Sequence, residues 1–130
     1  MTEKHRIVII GAGSSGLCTA IHLKKAGIED FVILEKGTGV GGTWYHNTYP
    51  GAECDVQSHL YQFSFEQKND WSKPYGGQEE ILEYLNHCFD KYEVRPYVRF
   101  GTAVTTAQWQ DDEDCWLITT DSGEQLEAQV

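Results

Sequence analysis

Apolar residues along this chain change their spacing several times, and each spacing predicts an element. Ile7 to Ile10 are apolar without interruption, the pattern of a parallel strand covered on both faces. From Ser15 to Ala26 the apolar positions Leu17, Ala20, Ile21 and Leu23 fall three and four apart, which predicts a helix that Gly27 stops. "FVILE" then reads as a second buried strand ending in Glu35. Residues 37–77 show neither period and read as a long loop with a turn at Pro74 to Gly77. In "EEILEYLNHCFDKYEV" the positions Ile81, Leu82, Leu85, Cys88, Phe89 and Tyr92 form one stripe, which predicts an amphipathic helix packed on the sheet. "YVRF" reads as a third parallel strand. "TAVTTAQW", "CWLITT" and "EQLEAQV" follow as three short strands separated by "QDDED" and "DSG". They predict a β-meander laid against the parallel sheet, with Trp109 and Trp116 in its core.

The expected fold is therefore α/β: a Rossmann-like βαβ unit with a parallel sheet, a connecting helix and a C-terminal three-stranded antiparallel meander. It divides into 1–36 (βαβ), 37–77 (loop), 78–100 (helix and strand) and 101–130 (meander). With 130 residues, 40% hydrophobic and 23% charged, the chain is the size of one folded domain. Its net charge of −10, from 20 acids against 10 bases, excludes nucleic acid and an anionic membrane as natural partners. The acidic run Asp111 to Asp114 reads as a solvated turn. Cys18, Cys54, Cys88 and Cys115 form no C-x-x-C pair and stand at no metal-ligand spacing, so they read as reduced, mostly buried thiols of a cytoplasmic protein. The scattered histidines suggest no metal. The polar start "MTEKHR" has no apolar signal region, and no apolar run reaches the ~20 residues of a membrane span.

The chemistry begins at "GAGSSG". Gly11 permits the turn out of the strand, Gly13 lets backbone approach a pyrophosphate, and Gly16 lets the helix pack close to the sheet. The N–H groups around Ser14 and Ser15, at the positive end of the helix dipole, suit phosphate oxygens. Glu35 lies 19 residues beyond Gly16 and can accept hydrogen bonds from an adenosine ribose; its charge disfavours a 2′-phosphate at this site. A glycine turn in an ordinary βαβ unit is the alternative. The unit alone does not separate NAD from FAD. In the loop that follows, Gly39, Gly41 and Gly42 allow backbone to lie close to another group. Trp44, Tyr45, Tyr49, Tyr61, Phe63 and Phe65 supply flat apolar surface, which suits a flavin better than a nicotinamide. For Phe63 and Phe65, plain core packing is the better reading.

The string "GAGSSG…E…GGTWYHNTYPGAECDVQSHLYQFSF" resembles the N-terminal FAD domain of flavin-dependent monooxygenases, most closely the Baeyer–Villiger type, and the resemblance continues through "QEEILEYLNHCFDKYEV" and "VRFGTAV". It implies that Gly11, Gly13, Ser14, Ser15, Gly16 and Glu35 hold the FAD pyrophosphate and ribose. Gly42, Thr43, Trp44, Tyr45 and His46 then face the flavin side. Asp55 and Tyr61 lie near the isoalloxazine, with Asp55 orienting an arginine outside these residues or, alternatively, capping a loop. Val104 touches the adenine end, and Glu53 and Cys54 lie near NADP. Thr48 and Glu53 depart from the resemblance, because family members often carry Arg there. Flavin disulfide reductases share the opening but resemble "GGTC", where this chain has Trp44.

The resemblance implies FAD and NADPH as cofactors, a ketone or other small organic molecule and O2 as substrates, and conversion of ketones to esters or lactones by way of a C4a-peroxyflavin. It also implies that the NADPH loop lies outside these residues, so that the 130 residues alone are inactive. N- or S-oxygenation on the same scaffold and a non-catalytic dinucleotide-binding module are the alternatives.

Overall fold

A computed structural model of the chain describes residues 2–130. It contains β1 (Glu3–His5), β2 (Ile7–Ile10), α1 (Ser14–Lys25), β3 (Phe31–Leu34), α2 (Thr43–His46), β4 (Glu53–Gln57), β5 (Tyr75–Gly77) and α3 (Gln78–Lys91). A single 3-10 turn (Arg95–Tyr97) leads to β6 (Val98–Arg99), β7 (Val104–Gln110), β8 (Cys115–Thr120) and β9 (Gln125–Ala128).

Three layers result. The middle layer is a parallel sheet in the order β2-β3-β6. Its central strand β3 is buried at every residue, and its alternating side chains serve two cores. Phe31 and Ile33 point to the helices and pack with Leu17, Ile21, Ile81, Leu85 and Phe89. Val32 and Leu34 point the other way, to Ile118, Leu126 and Ala128 of the meander. The third layer is a sheet in the order β1-β9-β8-β7, antiparallel except for the parallel pair β1–β9. The helices close the opposite face: α1 buries Gly16, Leu17, Ala20 and Ile21, and α3 buries Ile81, Tyr84, Leu85, Cys88 and Phe89.

The fold departs from the sequence pattern in five places. Ile10 is 61% exposed rather than buried, because β2 is the sheet edge; on its free side the contact is Val8 N–H donating to the Val130 carbonyl at 2.9 Å. The first residues are not one strand with β2: Glu3–His5 join the other sheet, as the partner of Leu126–Ala128. The third parallel strand shortens to Val98–Arg99, since Pro96 sits in the turn before it. The long loop contains α2 and an antiparallel pair, β4 with β5, where a turn at Pro74 to Gly77 was expected.

Trp109 and Trp116 are not meander core. They are 43% and 39% exposed and meet edge-on at 5.6 Å, opposite each other near the end of the β7–β8 hairpin. That end runs past the apolar cluster of Ile118, Leu126 and Ala128, so the two rings cover mainly each other.

Candidate functional site

The chain leaves β2 at Gly11, whose φ of +99° is open to glycine and strained for other residues. α1 starts two residues after Ala12 with no side-chain cap, so the N–H groups of Ser14, Ser15 and Gly16 have no intrahelical acceptor. No acidic residue stands in that first turn to compete for them. A Cβ at Gly16 would lie 2.1 Å from the Gly11 carbonyl oxygen, so the helix begins this close to the strand only with glycine there.

The second glycine loop lies directly against the first. Gly41 N–H donates to the Ala12 carbonyl at 2.8 Å, and a Cβ on Gly42 would come within 3.0 Å of the Gly13 Cα. Glu35 is buried between them, 4% exposed. One carboxylate oxygen accepts the Ala12 N–H at 3.0 Å and the other accepts the Gly37 N–H at 2.6 Å. Each oxygen retains a lone-pair site for a ligand hydroxyl. The sequence pattern did not anticipate these two backbone partners. The His46 Nε2 stands 3.8 Å from the same carboxylate.

Gly39 and Gly41 lie close to side chains of this chain: an added Cβ would meet the Tyr45 ring at 2.4 Å and Leu82 Cδ1 at 2.6 Å. α2 follows at once. Tyr45 shares a short hydrogen bond with the Thr38 hydroxyl. The Trp44 indole N–H donates to the Tyr61 hydroxyl at 3.0 Å, and the two rings meet edge-on at 5.8 Å. A cavity of about 230 Å³ runs from Ser14 past Tyr61 and Phe63 to Ile81, Tyr84 and Leu85. It is ring-sized, apolar on most of its wall and polar at the helix N-terminus. Phe63 and Phe65 stack at 5.1 Å against the main core, as core residues should.

Two expected site residues stand apart. Asp55 is exposed on β4 and takes no part in the bonds that join the glycine loops. Glu53, on the same strand, is engaged by Lys73 Nζ at 2.8 Å, which offsets the acid that the resemblance did not expect. Val104 lies on β7, half-buried against the cluster of Val32 and Leu34. It is brought near the end of β3 because Thr102 N–H donates to the Glu35 carbonyl at 2.9 Å and Gly101 N–H to the Gly37 carbonyl at 3.0 Å. Sequence spacing had no means of finding Gln78, whose side-chain amide donates to the Trp44 carbonyl.

Other clefts and thiols offer less. The larger cleft, about 700 Å³, lies at the C-terminal end of α1. Its cations are already used: Lys24 binds the Tyr92 and Glu93 carbonyls, and Arg95 binds Asp90 and Asn86. All four cysteines are free thiols; burial pushes the Cys88 thiol up to about 11 and raises Cys115, so neither is a thiolate near neutral pH. Among the described residues, no group of three or more His, Cys, Asp or Glu is placed to hold a metal ion. No helix among them is long and apolar enough to cross a membrane.

An uncapped helix N-terminus after a glycine turn, faced by a buried acid at the end of the next strand, defines a dinucleotide-binding unit of the Rossmann class. The family model for an NAD(P)-binding Rossmann-like domain matches residues 9–77. A Baeyer-Villiger monooxygenase of Streptomyces coelicolor is 45% identical over 121 residues, covering 93% of this chain and 23% of that protein. The closed crystal structure of cyclohexanone monooxygenase superposes with a TM-score of 0.92 at 43% identity, over 99% of this chain and 25% of that one. The OTEMO complex with FAD and NADP matches with a TM-score of 0.88 at 34% identity, over 95% of this chain and 24% of that one. The chain belongs to the NAD(P)-binding Rossmann-like family and corresponds to the N-terminal, FAD-binding portion of the Baeyer–Villiger monooxygenases. It spans about a quarter of the length of the relatives it matches.

Proposed function

We propose that these residues hold FAD for an NADPH- and O2-dependent monooxygenase that converts ketones to esters or lactones. The observation that carries the reading is the meeting of the two glycine loops at Gly13 and Gly42, with Glu35 fixed between them and the N–H groups of α1 left free. A side chain at Gly42 would press on the Gly13 Cα at 3.0 Å and push the two loops apart. The residues present therefore fit the cofactor.

In this reading the N–H groups of Ser14, Ser15 and Gly16 bind the pyrophosphate, with Gly11 and Gly13 giving it room. Glu35 accepts from the ribose hydroxyls, and Val104 lines the adenine end. Thr43 to His46 and Tyr61 wall the isoalloxazine and exclude water from one side. Asp55 is a positioning residue for a group supplied from outside residues 1–130. The segments 1–36, 37–77, 78–100 and 101–130 divide as nucleotide turn, flavin wall, supporting helix and strand, and outer sheet. Bound there, FAD would take reducing equivalents from NADPH and activate O2.

Titration of the chain with ADP and with adenosine 2′-phosphate 5′-diphosphate tests the nucleotide half. ADP should bind about ten-fold tighter or better, because a 2′-phosphate meets the Glu35 carboxylate. Equal affinities, or no binding of ADP, would sink the assignment. The oxygenation half is tested in a polypeptide that also carries the NADPH-binding residues, supplied with NADPH and cyclohexanone. Ester or lactone should form, and Asp55→Ala should divert NADPH oxidation to hydrogen peroxide; unchanged coupling in that variant would remove Asp55 from the chemistry.

A further inference from the structure

We propose that Gln78 is a positioning residue for the flavin wall, setting Trp44 and, through it, Tyr61. The proposal rests on the reading above, in which Thr43 to His46 face the isoalloxazine.

α2 has four residues and buries none of them. A helix that short does not hold its own shape in water. The placement of its rings must come from contacts outside it. Besides the Trp44–Tyr61 bond and the 3.8 Å approach of His46 Nε2 to Glu35, three side-chain hydrogen bonds reach it. Asn47 Nδ2 donates to the Thr43 carbonyl at 2.9 Å, which closes the same turn on itself. The Thr38 hydroxyl meets Tyr45, but Thr38 lies in the loop. The third comes from Gln78, the first residue of the fourteen-residue α3, and is the one anchored to a rigid element.

Gln78 makes two bonds to the loop. Its backbone N–H donates to the Ala52 carbonyl at 2.9 Å. That N–H is free to do so because the first N–H groups of a helix have no acceptor within it. Its side-chain amide donates to the Trp44 carbonyl. One half-buried residue thus ties both ends of the segment from Trp44 to Ala52 to α3. The tie passes on through the Trp44 indole N–H, which donates to the Tyr61 hydroxyl at 3.0 Å. α3 itself is fixed by Ile81, Leu85, Cys88 and Phe89, each no more than 3% exposed, so the anchor does not drift. The position needs an N–H donor of glutamine's reach. A glutamate has the shape without the donor, and its charge would face the Trp44 carbonyl.

The test titrates the wild-type chain, Gln78→Glu and Gln78→Lys with FAD and, separately, with ADP, which carries no isoalloxazine. Gln78→Glu should weaken FAD about three- to ten-fold, the loss of one hydrogen bond, and leave ADP unchanged. Gln78→Lys restores a donor and should recover part of the FAD affinity. Parallel loss of both ligands, or no loss of FAD, would overturn the proposal, since a general structural effect does not distinguish the two. A second readout needs no ligand. The 15N-labelled indole N–H resonance of Trp44, assigned with Trp44→Phe, should move in Gln78→Glu while those of Trp109 and Trp116 stay. An unmoved Trp44 resonance would also overturn the proposal. If the wild-type chain binds neither nucleotide, the cofactor reading fails, and the indole resonance still decides the role of Gln78.

Discussion

A methyl group at Gly16 would sit 2.1 Å from the Gly11 carbonyl oxygen and 3.2 Å from its carbon. Both are backbone atoms, so relief requires α1 to move away from β2. Alanine favours a helix interior over glycine by about 1 kcal/mol, which opposes the clash. Overpacking against a fixed neighbour costs about 1–3 kcal/mol, and more where backbone must shift. We expect Gly16→Ala to lower the unfolding free energy by about 2 kcal/mol net. Urea unfolding measures this directly; a midpoint equal to or above wild type would show that the helix start tolerates a side chain. The same substitution should reduce ADP binding, because the shift moves the N–H groups of Ser14 and Ser15. Glu35 shows the complementary lesson. Its position was legible as an acid at the end of a strand, but its hold on Ala12 and Gly37 was not, since those partners come from two different turns.

At the scale of elements, α3 does more than cover the sheet. Its stripe of Ile81, Tyr84, Leu85, Cys88 and Phe89 is buried, and its outer edge pins the loop that carries Tyr61. Tyr84 accepts the Phe63 N–H at 2.8 Å and donates to the Glu66 carbonyl at 2.7 Å. Glu66 accepts from Lys91 at 2.7 Å and Tyr92 at 2.9 Å, with His87 at 3.2 Å. The Lys91 ammonium, helped by Tyr92 and His87, holds the Glu66 carboxyl down at about 2, against a usual 4.5. A carboxyl lowered on folding stabilises the protein above its unfolded value and loses that contribution as pH falls towards the folded one. Stability should therefore decline between pH 4.5 and 2. Gln at position 66 cannot titrate, so Glu66→Gln should be less stable at pH 6 and show a shallower decline. Urea midpoints at pH 6 and pH 3 check it; identical slopes would mean that Glu66 is not coupled to folding. The packing of Phe63 and Phe65 on the core was legible in the sequence, but their stacking on each other was not, nor were β4, β5 and α2, because pieces of three to five residues show no measurable period.

For the whole molecule, Arg99 is the point where the layers are joined electrostatically. From the end of β6 it donates to Glu3 at 2.7 Å and Glu124 at 3.1 Å, linking the parallel sheet to both β1 and the turn before β9. The Arg99 guanidinium, and then His5, hold the Glu3 carboxyl at about 2. Arg99→Met keeps much of the side-chain volume and removes the charge. It should return Glu3 towards the ordinary carboxylate range and speed amide exchange in β1 and β9 while leaving α1 unchanged. Carboxyl NMR titration and hydrogen exchange measure the two effects; a Glu3 that still titrates near 2 would assign its shift to His5 instead. With a net charge of −10, such cross-layer pairs also relieve repulsion among the acids. The chain spans about a quarter of the length of the relatives it matches.

The βαβ opening, the acid of Glu35, the stripe of α3 and the three strands after Gly101 followed from the sequence by itself. Each is written in an apolar run, a side-chain period of two or 3.6, or a glycine spacing, among residues close together in the chain. Other features needed the tertiary structure: the pairing of Glu3–His5 with Leu126–Ala128, the contact of Gly13 with Gly42, the exposure of Trp109 and Trp116, and the bond from Gln78 to Trp44. They join segments 7 to 123 residues apart, or depend on which strand happens to be an edge. A local period says which face of an element is apolar; what that face meets is decided only when the layers pack.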